Sequence, residues 1–136
     1  MLQLVVTGRL ATRNKALAVL ANLGQNDTGE ITIEFFIEQY VAMMEKIRRN
    51  YPNAAILVMR PFSGNRAAAP QAAATQAAAK AGNDAGDNKV YFIDTSGWIT
   101  RADTNDGVHP TVAGHQKIAD KLAPLLERVL HDQAPQ

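Results

Sequence analysis

Apolar and polar positions alternate along this chain in two distinct rhythms. "ALAVLANLG", Ala16 to Gly24, is a compact apolar run closed by glycine and the turn-forming "QNDTG". It reads as a buried strand, although periodicity alone leaves room for a short helix. "ITIEFFIEQYVAMMEKIRRNYP" then changes period. Phe36, Tyr40, Met43, Met44 and Ile47 fall on one helical face, and Pro52 stops the helix. "AAILVM", Ala54 to Met59, is a continuous apolar run, the mark of a strand buried on both faces.

The second half repeats the alternation. "NRAAAPQAAATQAAAKAGN" is alanine-rich, which predicts a helix with a small-residue face and Pro70 in its first turns. "KVYFIDTSGW" predicts another strand, with Asp94 at its C-terminal end. From Pro110 to Leu130, Ile118, Leu122, Leu125, Leu126 and Val129 recur at helical spacing. Pro110 suits the first helical position, and Pro124 is expected to kink or divide the helix. Strand and helix alternate three times, so the fold class is α/β, built of parallel βαβ units with right-handed crossovers. In such sheets ligands bind beyond the C-terminal ends of the strands. Three loops reach that edge: "GQNDTG", "RPFSGN", and "DTSGW" running on to "DGVHP".

Composition narrows the choice of chemistry. The 136 residues suit one small domain, and 46% of them are hydrophobic, enough for a core. A net charge of +1 gives no reason to expect nucleic acid or an anionic membrane as partner. The absence of cysteine excludes disulfides, thiolate catalysis and cysteine-ligated zinc. No apolar run is long enough for a spanning helix, and "MLQLVVTGRLATRNK" lacks the order of a signal peptide. No cofactor is expected, and nothing in the pattern sets an oligomeric state.

Chemistry concentrates in "DGVHPTVAGHQKIA", Asp106 to Ala119. Gly107 permits a tight turn that folds the Asp106 carboxylate back onto the His109 imidazole, leaving one ring nitrogen free as a base. The plainer alternative makes Asp106 a turn residue and His109 an ordinary loop histidine. A metal pair is a third option, weakened by the lack of a clear third ligand. Asn26, in "LGQND", brings an amide to the same edge, where its N–H can donate to a developing oxyanion. Alternatively, Asn26 and Asp27 only make the turn and cap the next helix.

Together, "GQND" (Gly24 to Asp27) and "DGVHP" (Asp106 to Pro110) resemble two sequence blocks of the SGNH hydrolases, or GDSL esterases. "IRRNYPNAAILVMRPFSG" and "VYFIDTSGW" look like fungal carbohydrate acetyl-esterase relatives in that superfamily. The resemblance implies a three-layer α/β/α flavodoxin-like fold and hydrolysis of acetyl or related esters, with a small ester or acetylated carbohydrate as substrate. It implies His109 as general base and acid, Asp106 as its orienting carboxylate, Asn26 as oxyanion donor and Gly24 as the residue shaping that loop. His115, in "AGHQ", fits the family pattern in a structural place. Trp98 is a candidate wall for a sugar subsite or, more simply, a buried tryptophan. An extracellular role is implied by the family alone.

The family's Gly-Asp-Ser nucleophile block has no counterpart here. The 23 residues ahead of Gly24 contain no serine, and Thr7 with Gly8 in "VVTGRL" do not replace it. Ser63 and Ser96 reach the ligand edge, yet neither follows a strand in the strained turn that exposes a nucleophile. The expectation is therefore an N-terminally truncated domain: an atypical segment at residues 1–15, the partial esterase domain at 16–131, and a tail at 132–136. The truncation would remove a central strand and leave an exposed sheet edge, which "LQLVV" (Leu2 to Val6) would patch poorly. In a triad that works as a unit, loss of the serine costs about 10⁶ in turnover. The competing expectation is a catalytically inactive homologue that binds a carbohydrate or another partner through the retained pocket.

Overall fold

The structure, a computed structural model, describes residues 16–27, 29, 31–62 and 69–132. Its elements run β1 (Ala18–Asn22), α1 (Ile33–Asn50), β2 (Ala55–Met59), α2 (Ala69–Asp84), β3 (Val90–Ile93) and α3 (Val112–Asp132), with a short 3-10 turn at Arg101–Asp103. The described strands form one sheet in the order β1-β2-β3, parallel throughout. Ala18 lies opposite Ala55, and Ile56 opposite Val90.

Side chains alternate across this sheet, so each strand feeds two cores. Val19, Ala21, Ile56, Val58 and Val90 face α1 and α2, meeting Phe36, Tyr40, Met44, Ile47, Ala74, Ala78 and Ala79. Ala55, Leu57, Met59 and Ile93 face the other way, against Leu122, Leu125, Leu126 and Val129 of α3. The result is the expected three-layer α/β/α arrangement. β2 is central, with Ile56, Leu57 and Val58 fully buried, each worth about 1.5–3 kcal/mol of hydrophobic free energy. Tyr40 is buried against β1 and donates its hydroxyl to the carbonyl of Ala21 at 3.1 Å; burial pushes its phenol pKa up.

Polar contacts pin both ends of the sheet. At the N-terminal end of β2, Arg48 grips Asp87 through two nitrogens at 2.8 and 3.0 Å. Its remaining donor reaches the carbonyls of Tyr51, Pro52 and Ala54. At the C-terminal end, the Arg60 carbonyl accepts from Asn22 Nδ2 at 2.9 Å and Thr95 Oγ1 at 2.8 Å, tying together all three strand ends.

Two expectations need correction. Pro110 does not open the last helix: it pairs with Thr104 in an isolated antiparallel bridge, and α3 starts at Val112. Thr111 caps that helix instead, its hydroxyl accepting from Gly114 N at 3.1 Å. Nor does Pro124 divide the helix, which runs unbroken through it. Pro124 is exposed while the apolar stripe continues on both sides, so packing of α3 on the sheet outweighs the lost hydrogen bond. Leu2 to Val6, Thr7, Gly8 and Ser63 lie outside the described residues.

Candidate active site

The first loop leaves the C-terminal end of β1. Gly24 is buried with φ of +106°, and a Cβ there would stand 2.9 Å from the Phe36 ring and 3.3 Å from Gln71 Cβ. Only glycine suits both the backbone and the space. Gln71, in the first turn of α2, is 3% exposed and donates its amide to the Asp27 carbonyl at 2.5 Å. The loop is therefore floored by α1 and clamped by α2, which leaves Asn26 exposed. Capping of the next helix falls to Thr32, whose hydroxyl accepts from Phe35 N at 3.1 Å, and not to Asn26 or Asp27.

The second loop joins the 3-10 turn to α3. Gly107 has φ of +89°, and its N–H donates to Thr104 Oγ1 at 3.0 Å. That turn delivers the Asp106 carboxylate to three donors: Val108 N at 3.0 Å, His109 N at 2.8 Å and His109 Nδ1 at 2.6 Å. The His109 backbone N–H, then its ring, then the Val108 N–H hold the Asp106 carboxyl well below the usual carboxylate range. An ionised carboxylate only accepts, so the neutral His109 ring carries its proton on Nδ1 and presents Nε2 as a base. The His109 side chain is 75% exposed, open to a ligand.

Of the expected residues, Gly24 and Asn26 follow β1, and Asp106 and His109 precede α3. Asp94, directly after β3, is held below its usual range first by the Ser96 side chain and then by the Ser96 N–H. Ser96 is exposed, while Trp98 is half-buried with its ring 6.3 Å from that of Phe62. His115 is exposed, its backbone N–H bonded to Thr111 O. Among the described residues no cluster of three His, Asp or Glu side chains gathers to hold a metal.

Sequence reasoning missed Gln71 and Phe36 as supports of the first loop, because their contacts arise only in the folded chain. It also missed the buried Asp103 beneath the second loop. That one carried a signal, the Thr-x-x-Asp spacing of a capping box at Thr100 to Asp103.

Comparison with known proteins agrees with this architecture. The sequence profile of the GDSL-like Lipase/Acylhydrolase family matches residues 3–117. Cellulase/esterase CelE of Acetivibrio thermocellus is 29% identical over 116 residues, 82% of this chain and 14% of CelE. A family two carbohydrate esterase from Clostridium thermocellum, solved with cellohexaose, superimposes with a TM-score of 0.73 at 26% identity, over 85% of this chain and 36% of its own. A family 2 carbohydrate esterase with a carbohydrate binding domain from Corynascus thermopiles (Myceliophthora fergusii) gives 0.65 at 26% identity, over 85% and 37%. The chain spans little more than a third of those solved esterases and a smaller part of CelE. With the family profile matched across most of its length and the α/β/α layers in place, the chain belongs to the GDSL-like lipase/acylhydrolase family.

Proposed function

We propose that this chain carries the acid–base pair and an oxyanion donor of an ester hydrolase acting on acetyl esters of carbohydrates. The observation that carries the reading is the 2.6 Å contact between His109 Nδ1 and Asp106 Oδ2, made by a histidine side chain that is 75% exposed. His109 Nε2 takes the proton from the hydroxyl of a serine that these residues do not supply, whose oxygen bonds to the acetyl carbon, and returns it to the departing sugar alcohol; water, deprotonated in the same way, then releases acetate and restores the serine. Asp106 stabilises the imidazolium formed in between. Asn26 donates its amide N–H to the oxyanion of the tetrahedral intermediate, and Gly24 sets the path of that loop. The esterase names of the relatives support the reaction class, and the Trp98–Phe62 pair offers an aromatic surface to a sugar ring.

A second reading is a module that binds acetylated carbohydrate without cleaving it. It is favoured by the absence, among the described residues, of any serine hydroxyl bonded to His109. Acetate release from an acetylated cello- or xylo-oligosaccharide separates the two readings. With a Gly-Asp-Ser segment supplied ahead of these residues, the hydrolase reading expects release, and a loss of about 10⁴-fold or more in His109→Ala. Binding of the oligosaccharide with no release by that serine-bearing protein contradicts it and supports the module.

A further inference from the structure

The loop bearing Asp106 and His109 leaves from and returns to a single residue, Asp103. We infer that the Asp103–Lys117 pair is a positioning element that fixes this loop against α3 and thereby holds the His109 ring in its productive orientation. The inference rests on the acid–base reading of Asp106 and His109. Asp103 is 7% exposed, and its carboxylate accepts from Thr100 N at 2.9 Å, Thr100 Oγ1 at 3.1 Å and Lys117 Nζ at 2.5 Å. The carbonyl of the same residue accepts from Thr111 N at 2.8 Å and Thr111 Oγ1 at 3.2 Å. Gly114 packs so closely that a Cβ there would stand 2.3 Å from that carbonyl oxygen.

Both ends of the loop are fixed by these contacts. Thr104 follows Asp103 directly, bridges to Pro110, and offers its hydroxyl to the Gly107 N–H. Asn105 N donates to the His109 carbonyl at 2.8 Å, closing the loop on itself. A shift of Asp103 therefore passes through Thr104 and Gly107 to the Asp106 carboxylate, and from there to the ring. Lys117 is the external member of this latch. It comes from α3, it is the described cation within ion-pair reach of Asp103, and its side chain is half exposed. Its charge is therefore removable without opening a cavity. Loss of that charge leaves a buried carboxylate short of a donor, which favours displacement of the turn.

The test is ¹⁵N NMR of the whole chain, comparing Lys117→Met and Lys117→Arg with the unaltered protein at about pH 8, above the ordinary histidine titration. Two quantities are read: the ring tautomer of His109, with His115 and His131 as internal references, and amide exchange at Val108 and His109. Lys117→Met is expected to move His109 several-fold from the Nδ1–H toward the Nε2–H tautomer. It is also expected to speed exchange of both amides several-fold, with Lys117→Arg restoring both. An unchanged tautomer and unchanged exchange in Lys117→Met, with only global stability lowered, overturns the latch; so does a common shift of all three histidines. A His109 ring lacking the Nδ1–H form in the unaltered protein contradicts the acid–base reading instead, and exchange at Val108 and His109 then decides the latch by itself.

Discussion

The two loops of the candidate site are held by opposite means. The loop at residues 24–27 makes little structure of its own and is shaped from outside, by Phe36 beneath Gly24 and Gln71 across Asp27. The loop at residues 104–110 is shaped mostly from within, by the Asp106 carboxylate, the Thr104 hydroxyl and the Thr104–Pro110 bridge. The first derives its precision from tertiary packing, so it should fail when the helices move. The second depends on local hydrogen bonds and charge, so it should fail with pH and with loss of its anchor.

Substitutions that push on the two anchors sharpen this contrast, and the largest effect belongs to Gly114→Ala. Its Cβ would overlap the Asp103 carbonyl, backbone that cannot swing aside, so a loss of about 3 kcal/mol or more is expected by urea unfolding. Gly24→Ala meets the edge of the Phe36 ring, which yields more easily, but it adds backbone strain at φ of +106°. About 2 kcal/mol is expected there, again from urea unfolding. Gln71→Ala removes one buried side-chain bond, for about 1–2 kcal/mol. In that variant amide exchange should rise at Gln25 to Asp27 and stay unchanged at Val108 and His109; equal change in both loops would erase the distinction.

Acid gives the mildest probe. Asp94, Asp103 and Asp106 all have carboxyl pKa values lowered in the folded chain. Their contribution to stability is complete above the unfolded carboxylate value of about 4 and fades as pH falls below it toward the folded values. NMR between about pH 5 and 2 should therefore show the Asp106–His109 loop loosening before the Gln71-clamped loop, whose bond joins neutral groups. Simultaneous loosening would mean that charge does not distinguish the two.

The same contrast explains what was legible in the sequence. The three strand–helix alternations were readable because β2 is apolar throughout and α1 carries a clear helical stripe. The Asp106–His109 contact was readable because its determinants lie within four consecutive residues, including the glycine that makes the turn. Gln71 was not, because an alanine-rich helix gives no hint that one glutamine reaches back 44 residues to Asp27. The start of α3 was misplaced because Pro110 and Thr111 both carry helix-opening signals, and only the bridge to Thr104 decides between them. Pro124 misled because its cost is local, whereas the packing that offsets it extends along the whole of α3.

The central claim is that these two differently built loops serve one acyl-transfer site. Turnover of p-nitrophenyl acetate by Asn26→Ala and His109→Ala, each made in the protein carrying a supplied Gly-Asp-Ser segment, tests it most directly. About 10²–10³ is expected to be lost in Asn26→Ala, and more in His109→Ala. An Asn26→Ala protein as active as its Asn26 parent would contradict the claim.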